Sequence, residues 1–358
     1  MNKHLILALA SMVLLTLPAI ASDYVIHVGT LIMVYMILAM GLNVLPGFCG
    51  LLDLGYVGFY GIGAYTTGIL TITTGLNFWV IIPLTAINGA LWGVLLGTPT
   101  LRLTGDYFAI ATFGFSELIV LFLTNEIWLT RGPLGLPGID PVSIDFSWLN
   151  QKWYYEFTSE TPYFYLGIAL VVLIYLVMRR IEDSRLGRAW LAIREDSLAA
   201  ASCGVSILRY KTIAFATLAG TGAVGGAFFA RWHSFISPDM FKFWESFLVL
   251  CMCVLGGLGS IQGSLFGAVV FVAMGELLRP DLLESLMTLS VWPEVFRTNT
   301  SNLLKNIELS QVRFLTYGLL MIIIIRFKPN GFLPKSSKSG LDTPLLIPWR
   351  RKIEAGKI

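Results

Sequence analysis

The sequence predicts an all-α fold: a polytopic transmembrane helical bundle of about ten helices, with broken glycine-rich segments and one elaborate polar loop. Three observations carry that prediction. Of 358 residues, 56% are hydrophobic and 13% charged; a soluble domain uses about 25% charged residues to cover its surface. Mean hydropathy is +0.74. Several mostly apolar runs approach the roughly 20 residues that a helix needs to cross the hydrocarbon. These runs are continuously apolar and do not alternate every second residue, which excludes a closed β-barrel.

Taken in order, the chain opens with Lys3 and His4, an apolar stretch from Leu5 to Leu17, then Pro18-Ala19-Ile20-Ala21-Ser22. This is either a cleaved signal peptide or a retained first helix at 5–21, and the count of crossings fits the helix better. Helices follow near 25–45, 54–73, 78–97, 105–124, 163–178 and 211–230. Two tightly joined helices come next, at 240–256 and 260–278, and a last one at 312–327. Gly256-Gly257-Leu258-Gly259 leaves open whether 240–278 crosses twice or is re-entrant.

Ten crossings put both termini on one side. Lys3 at the start, with Arg326, Lys328, Lys335, Lys338, Arg350, Arg351 and Lys352 at the end, makes that side cytoplasmic. Loop 98–104, with Arg102, then falls inside. Loop 125–162 falls outside, with Arg131 and Lys152 against Glu126, Asp140, Asp145, Glu156 and Glu160. Loop 279–311 also falls outside, although its charge is balanced. Residues 1–330 read as one transmembrane domain, and the Pro/Ser/Lys-rich tail at 331–358 as a disordered cytoplasmic segment.

The polar loop spans 179–211 and holds seven basic residues, Arg179, Arg180, Arg185, Arg188, Arg194, Arg209 and Lys211, against Glu182, Asp183, Glu195 and Asp196. The positive-inside rule places it in the cytoplasm. Leu186, Trp190, Ile193 and Leu198 recur at helical spacing, with Arg188 and Arg194 off that stripe. Asp196 is placed to cap a short helix at 197–203, and Gly204 to end it in a left-handed turn. Ala199-Ala200-Ala201 within it would let the backbone enter a narrow groove on another protein. The same pattern also suits an amphipathic helix lying on the lipid surface.

From Gly41 to Tyr65 seven glycines, Pro46 and one acid, Asp53, forbid a uniform helix. Broken backbone at membrane depth is tolerated where protein or a watery cavity satisfies it, and half-helix ends there can bind a substrate's charged groups. Glycines also permit close helix packing. Glu117, inside 105–124, and Glu276, near the end of 260–278, are ionisable groups in apolar runs, which usually face an interior or a cavity. Asp106 sits at a helix start, where capping explains it.

Other chemistries find no support. Net charge is +3 and the basic residues lie in loops and tail, an orientation signal with nothing to suggest nucleic acid. Cys49, Cys203, Cys251 and Cys253 form no C-x-x-C pair and are expected to be small buried apolar residues. His4, His27 and His233 are scattered, so no metal site is expected. There is no P-loop, nucleophile elbow, paired carboxylate set or regular run of arginines, and no cofactor is expected.

At this point the residues carry a resemblance. The matching segments are GLNVLPGFCGLLDLGYVGFYGIGAYTTGIL from Gly41, LRLTGDYFAIATFGFSELIVLFL from Leu101, TRGPLGLPGI from Thr130 and SRLGRAWLAIREDSLAAASCGV from Ser184. FISPDMFKF from Phe235, VLGGLGS from Val254 and RFKPNGFL from Arg326 continue it. In order and spacing they resemble the LivM-type permease subunits of ATP-binding-cassette importers for branched-chain amino acids. The resemblance implies a non-enzymatic permease that moves branched-chain or other small neutral amino acids from periplasm to cytoplasm across the inner membrane. It makes 179–211 the cytoplasmic coupling loop, with Arg194, Glu195, Asp196, Ala199, Ala200 and Gly204 meeting an ATPase. For the substrate pathway the residues of the glycine-rich segment and the intramembrane acid single out Asn43, Asp53, Tyr56, Tyr60 and Glu117, although Asp53 departs from the resemblance, where that position is more often uncharged. Implied partners are a sister permease in a heterodimer, two cytoplasmic ATP-binding-cassette ATPase subunits, a periplasmic substrate-binding protein and the lipid bilayer. The alternatives are a urea or short-chain amide permease of the same importers, an ion- or proton-coupled secondary transporter using Asp53 and Glu117, and a membrane scaffold with no pathway.

Overall fold

The computed structural model describes residues 18, 21–103, 105–146, 153–277, 309–328 and 331–333. The expected helix at 5–21, nearly all of loop 279–311 and the tail beyond residue 333 lie outside the described residues. Helix α1 (Asp23–Leu42) runs through Asn43 into a buried π-helical turn, Val44–Cys49. Helices α2 (Tyr56–Thr74), α3 (Phe78–Thr100) and α4 (Asp106–Asn125) follow. A single turn, α5 (Ile127–Thr130), leads to β1 (Leu136–Pro137), β2 (Ser143–Phe146) and β3 (Trp153–Glu156). Next are α6 (Glu160–Asp183), α7 (Arg185–Glu195), α8 (Ser197–Ser202) and α9 (Ile207–His233). Strand β4 (Phe235–Ile236) precedes α10 (Phe243–Gly256), α11 (Ile261–Leu277) and α12 (Leu309–Phe327).

The nine expected helices from residue 25 onward therefore form, some reaching further than their apolar runs; α6 and α9 extend into charged residues because intrahelical bonds continue beyond the hydrocarbon-matched core. Five segments are long and apolar enough to cross a membrane: Asp23–Cys49, α3, α4, α6 and α9. The bent pair Pro238–Gly256 and Ile261–Glu276, with 118° between its arms, makes six if counted as one span. The described residues thus supply five or six of the ten expected crossings. Glycine, threonine and tyrosine make α2 too polar to join them, and α10 has only 14 residues. Two short antiparallel ladders, β1 with β4 and β2 with β3, add to the predicted all-α plan.

The chain divides into two units, Met1–Leu250 and Cys251–Ile358. In the first, α9 is central and packs against α3, α2 and α1. Lipid is as apolar as leucine, so helices in membranes associate by close van der Waals fit at small residues. Gly89, Gly93 and Gly97 on α3 face Ala223, Ala219 and Phe215 of α9 at four-residue intervals. Gly63 on α2 lies so near Ala223 that a Cβ would meet its backbone, and Gly226 stands in the same relation to Tyr60. Buried polar contacts add specificity between α2 and α3: Thr67 and Thr85 hydroxyls lie 3.1 Å apart, and Asn88 Nδ2 donates to Thr66 Oγ1 at 2.9 Å.

In the second unit α10 ends at Gly256, where Gly257 and Gly259 take φ of 117° and 86°. No other residue type enters that region readily, which is why the pair bends there. After α12 the chain returns to this break, with Phe332 N–H donating to Leu255 O and Leu333 N–H to Gly256 O, each at 3.0 Å.

Candidate functional site

Two features of the first unit meet at one end of the bundle: the helices of the polar loop and the break between α1 and α2. The Ser184 hydroxyl caps α7 by accepting from Leu186 N–H at 3.1 Å. One face of α7, with Gly187, Ala189, Trp190 and Ile193, is buried. Trp190 is 1% exposed, donates through Nε1 to Tyr210 O at 2.8 Å, and lies 6.5 Å from the Phe48 ring of the π-helical turn. The loop helix is thus packed onto the protein.

Asp196 then breaks the helix. It is extended, with φ −154° and ψ 109°, and its Oδ1 accepts from Leu198 N–H at 2.8 Å and Ala199 N–H at 3.0 Å. The expected cap of α8 is therefore present. Gly204, at φ 84°, closes α8 as expected: its N–H donates to Ala201 O at 2.9 Å and Val205 N–H to Ala200 O at 3.0 Å. This is the Schellman arrangement, which satisfies the last carbonyls of a helix. Glu195, Asp196 and Ala199 are exposed, whereas Ala200 is buried beneath α8. Leu198 does not continue the stripe of Trp190 and Ile193; it is 77% exposed, because the break at Asp196 resets the helical phase. Cys203 is exposed too, contrary to the expectation of burial, since it sits on the C-terminal cap of α8. The other cysteines are buried.

Arg194 turns inward. Its Nη1 donates to Gly47 O in the π-helical turn, and its aliphatic stem lies over Gly50. Burial pushes its pKa below the usual arginine value, with Glu195 and Cys49 opposing that shift.

On the α2 side of the break, Asp53 is fully buried. Its Oδ1 accepts from Gly55 N–H at 2.9 Å. Oδ2 has no donor at hydrogen-bonding geometry among the described residues. The neighbouring Thr112 hydroxyl is engaged with Ala109 O at 3.0 Å and Leu54 N–H at 3.2 Å. Asp53 and Thr112 line a crevice with Gly55, Phe59, Leu96 and Phe215, too narrow to admit water as it stands. Asn43 and Tyr56 are buried on either side of the break, Tyr56 against Gly41 and Gly222. Tyr60, one turn further along α2, packs edge-on against Phe241 with ring centroids 5.1 Å apart. Glu117 is half-buried on α4. Asn43, Asp53, Tyr56 and Tyr60 thus gather around one break, and Glu117 lies on a different helix, next to Ser116, which packs against Gly58 of α2. Among the described residues no three His, Cys, Asp or Glu side chains come together as a metal site.

Comparison with known proteins agrees with this architecture. Residues 24–324 match the family of the branched-chain amino acid transport system permease component. The chain belongs to this family. It is 36% identical to the high-affinity branched-chain amino acid transport system permease protein LivM of Escherichia coli K12, over 88% of this chain and 72% of that one. The probable LivM of Methanocaldococcus jannaschii is 22% identical over 85% of this chain and 84% of its own. The permease protein LivH of Salmonella typhimurium is 23% identical over 66% and 79%. No solved structure is a significant match. Family and apolar helices together make the chain a multi-pass inner-membrane transport subunit.

Several anchoring residues of this permease escaped the sequence reading. Arg231, 3% exposed near the end of α9, donates to Asp140 O at 2.7 Å, Pro141 O at 3.2 Å and Leu76 O at 3.0 Å. Glu160 accepts from Trp232 Nε1 at 2.8 Å and faces His27 Nδ1 at 3.1 Å. Glu245 on α10 accepts from Tyr35 OH at 2.9 Å, and Ser246 Oγ accepts from Val57 N–H at 2.9 Å. The signal that could have flagged Arg231 and Glu245 is the one used for Glu117, an ionisable residue beside an apolar run.

Proposed function

We propose that this permease is the membrane-spanning subunit of an ATP-driven, high-affinity importer that moves branched-chain or other small neutral amino acids from periplasm to cytoplasm. The observation that carries this reading is α8: a short helix, capped at both ends, exposed outward and fixed inward through α7 to the broken segment. The names of the LivM and LivH relatives support the cargo. A LivH-like sister permease would complete a heterodimer, and two ATP-binding-cassette subunits would hydrolyse ATP on the cytoplasmic side. A periplasmic binding protein would deliver the amino acid.

On this reading loop 179–211 and both termini are cytoplasmic, residues 1–330 form the permease domain, and α8 seats in a groove of an ATPase subunit. Glu195, Asp196, Ala199, Ala200 and Gly204 make or shape that contact; Arg194 acts from behind it. Asn43, Asp53, Tyr56 and Tyr60 border the pathway, with Glu117 lining it elsewhere. An amino acid is a zwitterion, so a break offering both a carboxylate and a helix start suits it better than one lone charge.

The test is uptake of labelled leucine by proteoliposomes holding the permease pair and its ATPases, with binding protein supplied. Uptake is expected to require ATP and to survive an uncoupler. Uptake that persists without the ATPases and collapses with the uncoupler would instead establish a secondary transporter.

A further inference from the structure

The proposed function leaves open how motion at α8 reaches the break beside Asp53. We propose that Arg194 is a transmission latch: its bond to Gly47 makes α7, α8 and the turn Val44–Cys49 move as one body. This rests on the reading that α8 receives the motion of an ATPase.

The last carbonyls of a helix lack intrahelical donors and need others. Here the N–H groups of Gly50 and Leu51 both turn back to Leu45 O. Gly47 O is left to the Arg194 guanidinium, a cation at the negative end of a helix. Gly50 lets the arginine lie flat. It takes φ 71°, and a Cβ built there would sit 3.2 Å from Arg194 Cγ. The Phe48 and Trp190 rings form a second, apolar tie between the same two segments.

The latch also stands at a short covalent distance from both ends of the route. Arg194 is two residues before the Asp196 cap of α8, and Gly47 is six residues before Asp53. A displacement of α8 therefore pulls on the segment that ends at the buried carboxylate. Arg194 positions; it touches neither ATP nor, on this account, substrate.

The experiment uses the complete complex in proteoliposomes and reads leucine taken up per ATP hydrolysed. Arg194→Ala is expected to keep the ATPases bound while uptake per ATP falls at least tenfold, and Arg194→Lys to recover part of it. The decisive variant is Gly50→Cys with Arg194→Cys in a Cys49→Ala background. The Cβ positions are 3.8 Å apart, inside the about 3.5–4.5 Å range of disulfides. Gly50→Cys with Arg194 intact measures the cost of that substitution alone. Oxidation should restore most of the uptake per ATP that this control shows, and dithiothreitol should remove it again. The latch is overturned if Arg194→Ala transports like the parent, or if its ATPases dissociate, which would make Arg194 a docking contact. It is equally overturned if the disulfide forms and the complex stays assembled but uptake does not return. Failure of the parent complex to show ATP-dependent uptake would instead overturn the proposed function.

Discussion

The two ends of the first unit each turn an arginine inward, Arg231 buried and Arg194 half-buried, and they use it differently. At the end away from the polar loop, Arg231 gathers three carbonyls from two other segments, Leu76 after α2 and Asp140–Pro141 before α6. Tyr163 reinforces the knot, its hydroxyl donating to Arg231 O at 3.2 Å and accepting from Val142 N–H at 3.1 Å. At the loop end, Arg194 reaches a single carbonyl and α8 projects away from the bundle. Many bonds to several segments fix a structure. One bond between two segments links them while leaving the pair free to shift together.

Substitutions can break this contrast. The largest effect is expected from Arg231→Leu, which removes the donor of three part-buried bonds; bonds to charged groups contribute about 1.5–3 kcal/mol each, so a loss of about 3 kcal/mol is expected after solvent replaces part of them. Thermal unfolding in detergent measures it, and an unchanged melting temperature would show that this end is no clamp. Gly204→Glu should leave the protein in the membrane, since a non-glycine residue at positive φ costs roughly 1–2 kcal/mol, yet abolish uptake because α8 loses its end. Normal uptake with normal abundance would remove α8 from the coupling role.

Smaller effects sharpen the comparison. Asp53→Asn keeps the bond to Gly55 N–H and removes the charge, so uptake should fall several-fold at constant abundance. An unchanged rate would reduce Asp53 to a cap on the start of α2. Asp196→Ala should cost about 1 kcal/mol through loss of the cap and lower uptake modestly, with Asp196→Asn close to the parent. Equal uptake in all three proteins would show that coupling does not depend on the cap.

Much of this was readable in the chain because it is local. Asp196 and Gly204 mark the two ends of a short helix through chemistry confined to their own neighbours, and α8 forms where they place it. The apolar runs likewise locate the long helices. What involves a change of direction was not readable. Leu198 has the spacing of the Trp190 stripe, but an extended Asp196 turns it outward. Arg194 has the spacing of a solvent-facing residue, but Gly47 lies opposite it, 147 residues away in sequence. The same holds for Arg231, whose partners are 90, 91 and 155 residues distant. Four of the five residues proposed for the pathway share a break because that break is written in glycines; Glu117 sits on a separate helix, and its spacing carries no register to α2.

On the proposed function α8 faces an ATPase. A single cysteine at Ser197, an exposed position on that helix, tests it in membranes containing the whole complex, with Cys203 replaced by serine. Ser197→Cys is expected to crosslink to an ATPase subunit and to be protected from an impermeant thiol reagent added on the periplasmic side. Labelling from the periplasm, with no crosslink to the ATPase, would contradict it.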